Sequence, residues 1–345
     1  MIANKKDLMK KILNIGPRAF ACPQDRTGGI VVLFEDWISY CQEKKMTIDV
    51  IDSNKSNYSN KINAVFTIIW KTLVKIRQSD TIFLHGTIND YIYIAPLIVC
   101  IAHVARRRVV LRKFAGNFSS IYQNCNWFKK TILHYAISNA DAVCWETQEL
   151  VKWGKKFNSH SYWFPNVRHS TKIHRVDRPY SCRLVFLSRV EREKGIGTLV
   201  EAMKILGSGY TLDIWGPLND VKENELNGFN YSYKGCVAQE DVPRTLTMYD
   251  ILVLPTKWIT EGYPGVIIEA YNVGIPVVAT PMGAIPEIVQ DGVTGFLTPV
   301  GDAHMLAQTI KKFNVENYIC YSAAALNAFV DFNSEIVCDR IKKIL

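Results

Sequence analysis

Three features of this 345-residue chain predict two α/β units, each a doubly wound, mostly parallel sheet. First, short runs of Val, Ile, Leu and Phe alternate with longer segments whose apolar residues recur every three or four positions. Such alternation implies crossover helices on both faces of a parallel sheet. Second, the length exceeds what one core usually holds. Third, the stretch PNVRHSTKIHRVDRPYS at 165–181 is polar and basic with proline near both ends, and it reads as a linker between the alternating halves. The expected division is 1–175, 176–330 and a C-terminal helix over 331–345.

In the first unit, KKILNIG is the opening strand, and its loop ends in Thr27-Gly28-Gly29 before the helical pattern IVVLFEDWISYCQEK. TIDVID is the second strand. AVFTIIWKTLVKIRQ then has the spacing of a helix, and TIFLHG that of a buried strand. The apolar run YIYIAPLIVCIAHVA, 91–105, is expected as one buried helix. It is too short to span a bilayer, which takes about 20 residues, and it contains Pro96 and His103. RRVVLRKF follows as a strand, then a helix over 127–137 and the strand ADAVCWET. After the linker come the strands CRLVFLSR, TLDIWG, NYSYKG, DILVLPT, IPVVAT and GFLTPV. The tail NSEIVCDRIKKIL reads as a helix with Asn333 or Ser334 at its cap.

Composition narrows the function. Nine scattered cysteines, odd in number and at no zinc-binding spacing, indicate neither a disulfide framework nor a metal site. They are expected as buried thiols of a cytoplasmic protein, and MIANKKDLMKKILNIG has no secretory pattern. Residues 1–175 carry 26 Lys and Arg against 12 Asp and Glu, the remainder 15 against 20. A basic half joined to an acidic half implies different partners. No aromatic-basic RNA motif or zinc finger accompanies the charge, so nucleic acid is not expected. An anionic membrane surface fits the same field, through Arg106-Arg107-Arg108 and Lys129-Lys130.

The chemistry concentrates in EGYPGVIIEA. A Gly- and Pro-containing loop leads into a short apolar helix, with Glu261 in the loop and Glu269 on the helix. Backbone N–H groups of Gly265 and Val266 at the helix start favour an anion. Carboxylates on either side accept hydroxyl hydrogen bonds, so a ligand with both hydroxyls and phosphates fits. In SRVEREKG, Arg189 and Lys194 follow a strand and can neutralise a diphosphate; an exposed charged loop is the plain alternative. His85 closes TIFLHG, at the strand end where parallel sheets present ligand contacts.

Four segments in order, SRVEREKGIGTLVEA, YKGCVAQEDVPRTLTMYDILVLPT, EGYPGVIIEAYNVGIPVVAT and GAIPEIVQDGVTGFLTPVGD, resemble the donor half of the retaining family-4 glycosyltransferases. The resemblance is dense over 182–303 and weak before it. It implies the GT-B fold, two Rossmann-like domains facing across a cleft, with the acceptor on the first and the donor on the second. By resemblance, Arg189 and Lys194 hold the diphosphate, Glu261 contacts the donor sugar and Glu269 the ribose. Gly265 and Val266 donate to phosphate, and Gly28 and Gly29 match the glycine loop of the first domain. A histidine common in the family is replaced in RVVLRKFAG by Arg112, Lys113 and Phe114. Together with His85, Arg112 and Lys113 are expected to meet the acceptor or the sugar. The implied activity is metal-independent transfer, with retention, from a nucleoside-diphosphate-sugar to a hydroxyl. No cofactor is expected, since the nucleotide-sugar is a co-substrate. The expected acceptor is a lipid-linked oligosaccharide of capsule, exopolysaccharide or O-antigen assembly, at the inner face of the cell membrane. A soluble acceptor, or a silent nucleotide-sugar-binding subunit, is the alternative.

Overall fold

The chain folds as two units, 1–166 with 334–345 and 167–333, in a computed structural model that describes residues 10–19, 29–114, 116–173 and 179–345. The division therefore falls at Asn166/Val167, inside the stretch read as a linker. Arg168 and Thr171 belong to the folded second unit: Arg168 N–H donates to the Phe332 carbonyl at 3.0 Å, and Thr171 N–H to Asn272 Oδ1 at 3.1 Å.

The first unit runs β1 (Ile12–Gly16), α1 (Gly29–Glu43), β2 (Ile48–Asp52), α2 (Lys61–Lys75), β3 (Thr81–Gly86), α3 (Ile88–Tyr93) and α4 (Ala95–Val104). It continues through β4 (Arg108–Lys113), α5 (Phe118–Asn124), α6 (Trp127–Asn139), β5 (Ala142–Trp145), α7 (Gln148–Gly154) and β6 (Ser161–Trp163). The sheet is parallel, in the order β2-β1-β3-β4-β5-β6. Every residue of β3 is buried, as expected of a strand covered on both faces.

Two elements depart from expectation. The 91–105 helix is interrupted at Ile94, and Pro96 lies in the first turn of α4, where its missing N–H leaves no bond unmade. The three-residue edge strand β6 is too short to carry a period.

The second unit runs β7 (Arg183–Leu187), α8 (Ile196–Leu206), β8 (Thr211–Trp215), β9 (Tyr231–Gly235), α9 (Val242–Leu246), β10 (Ile251–Leu254) and α10 (Gly265–Asn272). Then come β11 (Val277–Ala279), α11 (Ile285–Ile288), β12 (Gly295–Leu297), α12 (Ala303–Ile310) and α13 (Tyr318–Phe329). Its parallel sheet has the order β12-β11-β10-β7-β8-β9.

The last helix, α14 (Ser334–Lys342), packs on α1 of the first unit. Val337, Cys338 and Ile341 are buried there, Lys44 pairs with Glu335 at 2.6 Å, and the Tyr40 hydroxyl donates to Asp339. Each fully buried aliphatic side chain of this kind contributes about 1.5–3 kcal/mol. Not all thiols are buried: Cys41, Cys144 and Cys338 are, whereas Cys100, Cys236 and Cys320 are exposed. Among the described residues, no helix is long and apolar enough to cross a membrane, and no cluster of His, Cys, Asp and Glu could hold a metal.

Candidate functional site

In the second sheet the chain leaves β7 towards β8 and β9, then returns to the other side of β7 as β10. Adjacent parallel strands whose connections diverge leave a crevice at their carboxyl ends, the usual ligand position of such sheets. β7 and β10 are that pair, and the loops that follow them carry Arg189 to Lys194 and Thr256 to Glu261.

Lys194 and Glu261 meet there. Lys194 Nζ donates to both oxygens of Glu261, at 2.8 and 2.6 Å, and both side chains are largely buried. Thr256, fully buried, adds its hydroxyl to Glu261 Oε2 at 3.2 Å. The turn after Lys194 requires glycine: Gly195 has φ +77°, and a Cβ on it would overlap the Pro255 carbonyl. The Glu261 backbone is held in turn, its carbonyl accepting the Ala284 N–H at 2.9 Å.

Glu269 forms a second cluster. Arg168 Nε donates to its Oε1 at 2.7 Å and Gln239 Nε2 to the same oxygen at 2.9 Å, while Oε2 takes no donor among the described residues. Pro264 offers no side-chain cap to α10, and neither the Gly265 nor the Val266 N–H has an acceptor among the described residues. These are the orphan donors that make a helix start attract anions. The Arg168 guanidinium lies against this tip, since a Cβ on Gly265 would overlap Nη2. Two open amides, one guanidinium and one carboxylate with a free oxygen thus share one helix turn.

Arg189 is solvent-exposed and pairs with the buried Glu191 at 3.2 Å, and Asn219 Nδ2 holds the other oxygen of Glu191 at 2.9 Å. Glu287 accepts the hydroxyl of Tyr263 and braces the loop before α10. Trp258 donates to Thr260 at 2.6 Å and stays partly exposed. Arg168 and Gln239 went unnoticed in the sequence: one sits in the stretch read as linker, the other in the turn before α9.

The first-unit candidates have another character. Gly28 lies outside the described residues, and Gly29 is exposed at the start of α1 with open space around it. His85 is fully buried at the end of β3 among Phe83, Phe34, Phe114 and Trp37, and neither ring nitrogen has a hydrogen-bond partner. Burial, reinforced by the nearby Arg112, holds its imidazole well below the usual histidine pKa. His85 lines a cavity of about 380 Å³ with Ser53, Lys55, Thr87 and Asp90. There Lys55 pairs with Asp90 at 2.9 Å, and the Asp90 carboxylate accepts from the Thr87 N–H and hydroxyl at 2.8 and 2.7 Å.

Arg112 and Lys113 are not at a surface that a ligand could reach, contrary to the sequence expectation. Arg112 is 1% exposed, with its guanidinium 3.4 Å from the Phe164 ring centroid. Burial lowers its pKa to about 10. Lys113 is 2% exposed and donates to the Phe114 carbonyl. Its pKa is lowered by burial to about 8, with Glu146 and Asp90 opposing the shift. Alternation explains both: adjacent residues of a strand covered on two faces are both interior.

Residues 181–314 match the family described as glycosyl transferases group 1. An uncharacterised 41.2 kDa protein of the cps region of Klebsiella pneumoniae is 25% identical over 309 residues, 83% of each chain. The amylovoran biosynthesis glycosyltransferase AmsK of Erwinia amylovora is 30% identical over 182 residues, 47% of this chain and 44% of AmsK. The chain thus spans most of the first relative but less than half the length of the second. Among solved structures, Anabaena HepE in complex with UDP superposes with a TM-score of 0.69 at 16% identity, over 97% of this chain and 99% of HepE. HepE has also been solved with UDP-glucose. On its two six-stranded sheets and these matches, the chain has the GT-B fold, and its second unit is similar over 181–314 to the group 1 glycosyltransferases.

Proposed function

We propose that the chain transfers a sugar from a nucleoside-diphosphate-sugar to a hydroxyl of a lipid-linked oligosaccharide, with retention, in the assembly of a cell-surface polysaccharide. The observation that carries this reading is the pair of clusters in the second unit, Lys194 with Glu261 after β7 and β10, and two open helix-tip amides with Arg168 and Glu269 on α10. A nucleotide-sugar asks for that combination of cations, amides and carboxylates. AmsK is described as an amylovoran biosynthesis glycosyltransferase and HepE is solved in complex with UDP-glucose, which supports both the donor class and the setting.

In this reading Glu269 Oε2 accepts the ribose hydroxyls while Arg168 and Gln239 fix the carboxylate through Oε1. The diphosphate lies on the Gly265 and Val266 amides, with Lys194 and Arg189 neutralising charge as it leaves. Lys194 exchanges part of its pairing with Glu261 for phosphate oxygen, and that releases Glu261 to orient the sugar. The bond from C1 to the phosphate oxygen breaks on the face where the acceptor oxygen bonds to C1. The acceptor proton passes to an oxygen of the departing diphosphate. Side-chain cations do the work of charge stabilisation, so no divalent ion takes part. The first unit binds the acceptor, its cavity beside His85 offering Ser53, Thr87 and Lys55 to hydroxyls among apolar walls of Pro17, Ile30 and Val31.

One observation favours a second reading, a silent nucleotide-sugar-binding subunit: both oxygens of Glu261 are already held by Lys194. Incubation with a panel of nucleotide-sugars, with lipid-linked acceptor and with excess chelator, tests the proposal. Release of nucleoside diphosphate and a glycosylated product of retained configuration is expected, with EDTA present or absent. Tight nucleotide binding without turnover on any donor would favour the silent subunit. Transfer that stops with EDTA and returns with a divalent ion would remove the side-chain mechanism.

A further inference from the structure

The helix α2 is apolar on two sides. Ala64, Ile68 and Thr72 face the interior, whereas Ile62, Phe66 and Trp70, one turn apart along the outside, are 83, 69 and 60% exposed. Leu73 and Val74 extend the outer stripe. A helix apolar all round is ordinarily buried. Its neighbour α4, which packs against it, exposes Leu97 and Val104 in the same way. Between them lie two grooves of about 740 and 690 Å³, one floored by Val65 and Ile69, the other by Ile76 and Ile101. On the far side of α4, the helix α6 opens with the exposed pair Trp127 and Phe128.

Charge identifies what covers this face. Residues 53–140 contain 12 Lys and Arg and only two acids, Asp80 and Asp90. Both acids are engaged: Asp80 lies 3.7 Å from Arg107, and Asp90 is 2.9 Å from Lys55. Exposed Lys61, Lys71, Arg77, Arg106, Lys129 and Lys130 form no ion pair among the described residues. A second copy of the same face would bring cations against cations. A protein partner would need an acidic rim around an apolar ridge, whereas an anionic bilayer offers both chemistries as one continuous surface.

We propose that the outer face of α2 and α4 in the first unit docks in the plane of an anionic lipid bilayer. Ile62, Phe66 and Trp70 lie at the boundary of headgroups and acyl chains, and the surrounding lysines and arginines rest on lipid phosphates. A helix of this kind lies in the interface without spanning it, held by apolar area and by attraction to anionic lipid together. The electrostatic contact expected from sequence thereby gains an apolar anchor. It rests on no feature of the donor site, so it stands or falls separately from the sugar-transfer reading.

Flotation of the full chain with vesicles of phosphatidylglycerol and phosphatidylcholine, against pure phosphatidylcholine, tests it. Binding to the anionic vesicles at low salt is expected, weakening as salt rises. The double variant Phe66→Ser/Trp70→Ser should lose about tenfold or more in partitioning, the scale of removing two buried apolar side chains. Its thermal unfolding and nucleoside-diphosphate binding should match the parent, because both positions are exposed and lie in the first unit, apart from the donor-site residues of the second. As an independent measure, lipids brominated near the headgroup should quench tryptophan emission less in Trp70→Phe than in the parent. Equal partitioning of parent and double variant, or no binding to anionic vesicles at low salt, overturns the proposal. So does lipid-free self-association of the parent that the double variant abolishes, which would assign the face to a second copy.

Discussion

The two six-stranded parallel sheets, which differ in strand order, are furnished in opposite ways around their switch points. Each has a switch point, between β1 and β3 in the first and between β7 and β10 in the second. In the second, the charged groups stand on loops and at a helix start, paired to one another but with donors and an acceptor left open. In the first, His85, Arg112 and Lys113 stand on the strands themselves and are enclosed by Phe34, Phe83, Phe114 and Phe164. A residue on the loop beyond a strand, as Lys194 and Glu261 are, can turn to a ligand, whereas one still within the ladder of a covered sheet belongs to the interior. Position relative to the last ladder bond therefore says more about accessibility than residue type.

The contrast is most exposed to refutation at Lys194. Lys194→Ala should lower turnover by about 100-fold or more, the scale of losing one preorganised charge stabiliser. Steady-state release of nucleoside diphosphate measures it, and near-normal kinetics in a folded variant would place Lys194 with the interior cations rather than with the site.

A smaller effect should separate the glutamates. Glu269→Ala should weaken nucleoside-diphosphate binding by roughly tenfold, because charge-assisted hydrogen bonds are worth about 1.5–3 kcal/mol. Glu261→Ala should leave that binding nearly intact and lower turnover. Calorimetry with the nucleoside diphosphate alone distinguishes them, and equal losses in both would break the division of roles.

The smallest effect concerns the enclosed side. The native state keeps His85 neutral, while the unfolded chain protonates it near pH 6.5. The stability tied to this residue is therefore complete above that pH and is lost as pH falls below it, by up to about 1.4 kcal/mol per pH unit. Thermal unfolding at pH 7 and pH 5 should show a shallower acid loss in His85→Leu than in the parent. Parallel losses would mean that solvent reaches the imidazole and that the first switch point is as open as the second.

Much of the fold was legible because strands buried on both faces leave continuous apolar runs, and TIFLHG and ILVL stand where those runs predict. The paired glutamates and Lys194 were legible because loop residues after strands keep a local signature. Arg168 was not: its bond to Glu269 joins positions 101 residues apart. Its neighbours have the composition of a linker. Gln239 has no motif, and only the tertiary approach of its turn to α10 makes it a ligand of Glu269. The outer face of α2 shows a different limit. Apolar spacing of three and four marks a helix, but when both sides are apolar it does not say which side is covered.

The helix α14 has a consequence for how the protein is made. Its side chains complete the surface of α1 around Trp37, Tyr40 and Cys41, yet it leaves the ribosome only after all of 167–333. The unit that is begun first is thus finished last, and during synthesis it waits with an uncovered apolar flank while the second unit is translated. Folding in the order of translation would deliver a complete second unit before the first, which makes that flank the part of the nascent chain most in need of a chaperone.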